Sequence, residues 1–471
     1  MKVKSVPIQL PPHLALVDLL PDAEIVGWLR GNDGMVGWGR AFLLEVPAAH
    51  QFPAAKKAWR EVVADADIQD DVGLFGSGLV GFGSFSFDPL SEAGGVLEVP
   101  RVLVGRRGKH AWLTTVDTDI SPAAILDGHA EPVREPTEVV ETAAGLDRLT
   151  GLDWQAENTA WEAAVAEALS RLTDGDASKV VLARAVTLRG ATPFSPTWVL
   201  QRLAHRFVDT WNFAVDSLVG ATPELLVSVA AGQVKSLVLA GTAPVPANAT
   251  DAEIWQIGNK LLGSLKDRTE HAYAVNSVAN ALAPFCQDIQ AEGPEILALP
   301  NVLHLATTLR SHYADPQNSV TSLYLAENLH PSAAVCGTPT EAALDIIRDL
   351  EPFDRGRYAG PVGWLSATGD GEWGIALRCA QLAGSQARLL AGCGIVAGSQ
   401  PDAELLESEA KLAPMRWALG ATSEVRDDGP LAADAADGLE ADADKPGAAS
   451  GDADAKAPAT PTRPKLRLVP E

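Results

Sequence analysis

Strand-like and helix-like segments in this chain come in blocks rather than in alternation, and that order constrains the fold more than any single motif. Residues 24–29 and 35–46 are rich in Val, Leu and aromatic side chains and are joined by Gly31-Asn32-Asp33-Gly34, a strong hairpin signal. Residues 73–87 alternate glycine with apolar and aromatic residues, which predicts strand interrupted by bulges. Helical periodicity over 158–172, with Asn158 or Thr159 as N-cap and Asp174-Gly175 as the stop, precedes a Val/Leu/Ala strand over 179–188. Further helices are expected over 251–283 (one or two), 340–350 and 402–417, and strands over 364–366, 373–382 and 387–396. A doubly wound sheet needs strand and helix to take turns; this order predicts an α+β fold, with large sheet layers flanked by helices.

Residues 1–422 are expected to form one domain, with a β-rich half over 1–150 and a second half over 151–422. A polar Pro/Thr/Glu-rich crossing over 128–150 joins them. From 423 to 471 the composition shifts to Ala, Asp, Gly and Pro, which buries too little apolar surface to offset chain entropy; this tail is expected to be disordered. The formal net charge is -24, and the tail's eleven acids and six bases leave -24 - (-5) = -19 on the body. Such a field disfavours nucleic acid or an anionic membrane as partner, and it requires a local cationic site for any anionic substrate. Cys286, Cys336, Cys379 and Cys393 lie far apart, without metal-type spacing, and read as buried thiols of a reducing compartment. Pro11, Pro12 and Asp18 break the segment after Lys2 and Lys4, against a signal peptide, and no apolar run is long enough to span a bilayer. A cytoplasmic protein is expected.

Gly76-Ser77-Gly78-Leu79-Val80-Gly81 matches GxGxxG, but a dinucleotide site needs a helix to begin there, and residues 82–87 read as continuing strand. The acidic residues are more informative. Glu270 follows Asp267 by three positions and Glu407 follows Glu404 by three, so each pair shares a helix face. Brought together, two such faces make an oxygen-only site suited to Mg²⁺; apart, they are solvated faces on which Lys411 pairs with Glu407. Lys179 opens an apolar strand, where a lysine is ordinarily an edge charge. Glu224, between Pro223 and an apolar strand, reads unaided as a structural carboxylate.

The order of several segments resolves these alternatives. Ser178-Lys179-Val180-Val181, Ala221-Thr222-Pro223-Glu224-Leu225, Ala240-Gly241-Thr242, Lys266-Asp267-Arg268-Thr269-Glu270-His271, Asn301-Val302-Leu303-His304, Leu329-His330-Pro331 and Cys336-Gly337-Thr338-Pro339 occur in that order. Glu351-Pro352-Phe353-Asp354-Arg355, Gly360-Pro361-Val362-Gly363-Trp364, Ile375-Ala376-Leu377-Arg378, Gly392-Cys393-Gly394-Ile395, and Glu404, Glu407 and Lys411 follow. The set resembles the chorismate-utilising enzymes, with an anthranilate synthase component I-like fold, and isochorismate synthase most closely. The resemblance implies Glu270 and Glu407 as Mg²⁺ ligands, with Asp267 and Glu404 beside them or acting through water. It makes Lys179 the base that activates water for attack at C2 of chorismate, and Glu224 the acid that protonates the departing C4 hydroxyl. The two then need opposite tuning, the lysine low and the glutamate high. Arg378, Lys411 and the amides of Gly392 and Gly394 would hold a substrate carboxylate; Gly241, Thr242, His304, Tyr358 and Leu377 would line the ring pocket.

Within the family, aminodeoxychorismate synthases carry a lysine where this chain has Ala240, and anthranilate synthases lack the Lys179 base because ammonia is their nucleophile. A glutamine amidotransferase partner is therefore not expected; a monomer is expected for want of any dimer signal in the sequence. Salicylate synthases, which make isochorismate and then eliminate pyruvate, remain the first alternative, and a catalytically silent chorismate-binding relative is the second. The Leu329–Pro331 and Gly360–Trp364 flanks favour isochorismate synthase. Ala243, Leu265 and Cys336 depart from the common family pattern.

Overall fold

In the computed structural model the described residues are 1–127, 139–143, 154–246, 248–313 and 320–421. The tail expected over 423–471 lies outside them, as does the 128–150 crossing apart from the short strand Val140–Ala143. The expected hairpin forms: Ile25–Arg30 pairs antiparallel with Asp33–Val46.

Twenty strands among the described residues form one ladder that branches at the long strand Gly95–Arg107. One edge of that strand pairs along its length with Asp33–Val46. Its other edge is shared, first by Val80–Ser84 and further on by His110–Val116. From Val80–Ser84 the ladder runs through Pro361–Ser366, Gly371–Ile375, Leu225–Ala230, Gln233–Pro244, Val302–Tyr313 and Cys286–Leu299. From Asp33–Val46 it runs through Ile25–Arg30, Trp211–Val215, Leu218–Thr222, Cys379–Ala383, Gln386–Ile395 and Lys179–Arg189. All these pairs are antiparallel, and strands from both halves of the chain interleave in each branch.

The two branches pack face to face. Trp28 of the second donates its indole N–H to Glu372 of the first at 2.9 Å, and a Cβ on Gly374 would lie 3.0 Å from both Trp28 and Thr222. Helices Pro196–Arg206 and Pro401–Ala418 cover the outer face of the second branch, where Leu200, Leu203, Leu412 and Met415 join a core with Val186, Leu188 and Leu389. Leu265–Leu282 and Ser322–Leu329 pack against the first, and Gln51–Ala64 against Asp33–Val46 and Gly95–Arg107. The α+β architecture of layered sheets flanked by helices is thus realised.

Three local expectations change. Of residues 73–87 only Val80–Ser84 is strand; Gly73, Gly76 and Gly78 adopt left-handed φ of 64°, 95° and 76° in a loop fastened by Ser77 to Asp70. A Cβ on Gly81 would stand 2.7 Å from the Trp59 ring, so this glycine serves sheet packing and not a nucleotide. The helix expected from Asn158 begins at Trp154. The strand expected over 373–382 is two strands, Gly371–Ile375 and Cys379–Ala383, broken where Arg378 takes φ 47°.

The motif Glu351–Arg355 is a buried ion pair. Arg355 donates Nε to Glu351 Oε2 at 2.9 Å and Nη2 to Oε1 at 2.5 Å, reaches the carbonyls of Val335 and Val181, and stacks on Phe87. Glu351 in turn accepts from the Ala183 amide. Removing one partner strands the other charge in the core. Glu351→Leu should cost about 3–5 kcal/mol, read as a lowered urea midpoint with unchanged slope.

Candidate active site

Where Gly392 and Gly394 run alongside Lys179–Arg189, the sheet opens into a cleft of about 660 Å³, including space open to solvent. Its walls include Glu224, Gly241, Thr242, Glu270, His304, Tyr358, Leu377, Arg378, Gly392, Gly394 and Lys411. Eleven of the fifteen residues singled out in the sequence therefore meet at one place. Lys179, Asp267, Glu404 and Glu407 stand behind this wall.

Lys179 is not an edge charge. The strand has neighbours on both sides here, Thr338 opposite Lys179 and Ile395 opposite Val180, and the side chain is 0% exposed. Its Nζ lies 3.3 Å from Glu270 Oε1 and makes no hydrogen bond to the described residues. The lysine thus sits behind the Glu270 carboxylate instead of facing the cleft directly.

Glu224 follows the kink at Pro223 between Leu218–Thr222 and Leu225–Ala230. Its carboxylate accepts only a long contact from the Leu239 amide, at 3.4 Å. Burial pushes the carboxyl up to about 8, against the Leu239 amide and the charges of Lys179 and Lys411. The direction is the one an acid catalyst needs.

Gly241 sits at a bulge, with φ 77°, between the pairs Ala240–Leu305 and Thr242–His304. A Cβ there would come 3.0 Å from Asp267 Cβ, so glycine lets the strand approach the start of helix Leu265–Leu282. The same bulge sets Thr242 Oγ1 3.1 Å from His304 Nδ1. Arg378 donates Nη2 to His304 Nε2 at 3.0 Å, so that nitrogen accepts and the ring is neutral. Burial, then Arg378 and Lys411, hold His304 well below its ordinary pKa. His304 lines the cleft, as expected of it, and both of its ring nitrogens are engaged there, one by Thr242 and one by Arg378. Burial lowers Arg378 to about 10 and raises the Tyr358 phenol to about 12.

The two acidic helix faces do come together, and they are not solvated. Glu404 is 1% and Glu270 8% exposed, while Asp267 and Glu407 are half-buried. The pairing expected of solvated faces also occurs, but inside: Lys411 donates to Glu407 at 2.5 Å and to the Gly392 carbonyl at 2.8 Å. Burial, the largest single influence, depresses Lys411, yet the charge and hydrogen bond of Glu407 together with Cys393 raise the ammonium overall. Lys266 donates to Glu404 at 2.7 Å, a partner that sequence reading missed. Burial first, and Glu407 second, push Glu404 upward; burial does the same for Asp267.

Gly394 has a part beyond its amide. A Cβ there would lie 2.0 Å from Glu270 Oε1 and 3.1 Å from Lys179 Cε, so the missing side chain is the space that the Glu270–Lys179 contact occupies.

Fold and cleft together define a class: a layered α+β protein whose cleft is lined by the buried carboxyl of Glu224 and the cations Arg378 and Lys411, with Lys179 behind Glu270. The chain belongs to the chorismate-binding enzyme family, whose model, described as chorismate binding enzyme, matches residues 28–420. It is similar to isochorismate synthase DhbC of Bacillus subtilis (strain 168), with 41% identity over 268 residues, 54% of this chain and 66% of that protein's length. It is 31% identical over 397 residues to the vibriobactin-specific isochorismate synthase of Vibrio cholerae, covering 83% of this chain and 90% of that protein. Among solved structures, the putative 2,3-dihydroxybenzoate-specific isochorismate synthase DhbC from Bacillus anthracis superimposes with a TM-score of 0.69 at 27% identity, over 86% of this chain and 99% of that one. No helix among the described residues is long and apolar enough to cross a membrane.

Gly394→Ala should fold but lose activity by at least about 100-fold, because displacing Glu270 by an ångström misplaces the reacting groups. Circular dichroism and a steady-state assay on the same preparation check both halves of this prediction.

Proposed function

We propose that the protein is an isochorismate synthase, converting chorismate to isochorismate with Mg²⁺. The observation that carries this reading is Glu224: a carboxyl on the cleft wall that burial keeps protonated to about pH 8, near enough to Lys179 to feel its charge. Chorismate is a dicarboxylate, and the cleft offers Arg378 and Lys411 to one carboxylate. Lys179 takes a proton from the water that attacks C2, which requires its side chain to reach the cleft past Glu270, the carboxylate it sits behind. Glu224 gives its proton to the C4 hydroxyl, which leaves as water, and the ring double bonds shift accordingly. Water enters and water leaves, so the change is an isomerisation.

The donor set suits Mg²⁺. Glu270, Glu404, Glu407 and Asp267 offer oxygens alone, the preference of a hard cation. The neighbouring Cys393 thiol is held protonated, its pKa raised well above the ordinary value by burial and then by Glu407. Glu270 and Glu407 would hold the ion, with Glu404 and Asp267 beside them. When bound, it supplies positive charge for the second substrate carboxylate.

Ala240, small and buried, supports a water nucleophile, since the aminodeoxychorismate synthases carry a lysine there. Salicylate synthase shares the same base and acid, and product analysis separates the two. Purified protein with chorismate and Mg²⁺ should yield isochorismate without pyruvate. Stoichiometric pyruvate with salicylate would reassign the protein, and unchanged chorismate would remove both readings. Lys179→Ala should lower turnover by about 10²–10⁴-fold while Mg²⁺-dependent chorismate binding persists in calorimetry.

The Glu224 carboxyl moves from 4.5 in an exposed setting to about 8 in the folded protein. Its contribution to stability is complete below the lower value and is withdrawn as pH climbs through the upper one. As the acid, it should make kcat/KM fall on the alkaline side with a midpoint near the pH where the buried carboxyl ionises. A pH–rate profile flat across that region would remove Glu224 from the role.

A further inference from the structure

Lys266 is the one lysine of the buried cluster to which the mechanism gives no task. It is the second residue of helix Leu265–Leu282, where the positive end of the helix dipole disfavours a cation; Asp267, one position on, suits that end. Local helix physics therefore does not explain it. Its partner does: Lys266 Nζ lies 2.7 Å from Glu404 Oε1, and the Glu404 side chain is 1% exposed, whereas that of Lys266 is 30% exposed. A carboxylate so enclosed needs a counter-charge. Glu404 cannot share that of Lys411, which is committed to Glu407 and the Gly392 carbonyl. Ligand atoms of Glu404, Glu407 and Cys393 all lie within 4.8 Å of one another, so a cation between the two carboxylates would stand where Lys266 now supplies charge.

We infer that Lys266 is a tethered counter-ion that holds Glu404, and with it the joint between helices Leu265–Leu282 and Pro401–Ala418, until a divalent cation held by Glu270 and Glu407 beside it supplies that charge, directly or through water. On exchange, the ammonium swings to solvent, which it already reaches. The exchange keeps the carboxylates apart in the absence of metal and makes metal affinity lower than the donor set alone would give. Lys266 is accordingly a positioning residue, not a catalytic one. This inference rests on the Mg²⁺ reading above.

Calorimetric titration of Mg²⁺ into metal-free wild type and Lys266→Met, with Lys266→Arg as the conservative control, tests it. Without the competing ammonium, Lys266→Met should bind Mg²⁺ about tenfold more tightly and melt at lower temperature in EDTA, with the melting deficit closing as Mg²⁺ is added. Lys266→Arg should track the wild type. In the wild-type protein, labelling of Lys266 by an amine-selective reagent, read by peptide mass spectrometry, should be slow in EDTA and faster in Mg²⁺. Equal or weaker Mg²⁺ binding by Lys266→Met, or labelling indifferent to Mg²⁺, overturns the counter-ion role and leaves the Mg²⁺ reading intact. If wild type and both variants bind no Mg²⁺, both readings fall.

Discussion

The arrangement depends on how four carboxylates are kept together inside a protein. Asp267, Glu270, Glu404 and Glu407 come from two helices and meet beside strands Gln233–Pro244 and Gln386–Ile395. Left to themselves they would repel, and burial would make each charge costly. Three lysines answer them, Lys179 beside Glu270, Lys266 beside Glu404 and Lys411 beside Glu407. Each lysine comes from a different element: a strand start, a helix start and a helix interior. The cluster therefore ties sheet and helices together with the same groups that the proposed chemistry uses.

Glycine makes this crowding feasible. Gly394 leaves the volume in which Glu270 meets Lys179, and Gly241 bends its strand toward Asp267 while placing Thr242 opposite His304. At both positions the backbone comes closer to functional side chains than any residue with a Cβ would permit. Arg378 contributes strain of another kind: a left-handed arginine breaks what would be one strand and turns its guanidinium onto His304.

Much of this was legible in the sequence. Block order implies the α+β class, and i,i+3 spacing alone places Asp267 with Glu270 and Glu404 with Glu407. The misses share a cause, which is that tertiary contacts overrode local pattern. Lys179 looks like an edge residue because its neighbours Thr338 and Ile395 are far away in sequence. Lys266 is invisible beside its own helix because its partner lies 138 positions on. The pattern over 373–382 reads as one strand, since nothing in an apolar run announces a single left-handed residue. The partners of His304 are likewise set by distant residues, Thr242 past the bulge at Gly241 and Arg378 at its turn.

The branched strand Gly95–Arg107 has a consequence for how the molecule is made. No residue assigned a part in the cleft lies in the first 150 positions, yet Gly95–Arg107 is where both branches join, one through Val80–Ser84 and the other through Asp33–Val46. Pairings that close the cleft are thus long-range in the chain, and such contacts are assembled late and slowly, since loop closure precedes any gain from pairing. During synthesis the first half emerges with sheet edges that await strands not yet made. Register in the cleft-bearing half therefore depends on pairing with strands of the half that carries no cleft residue.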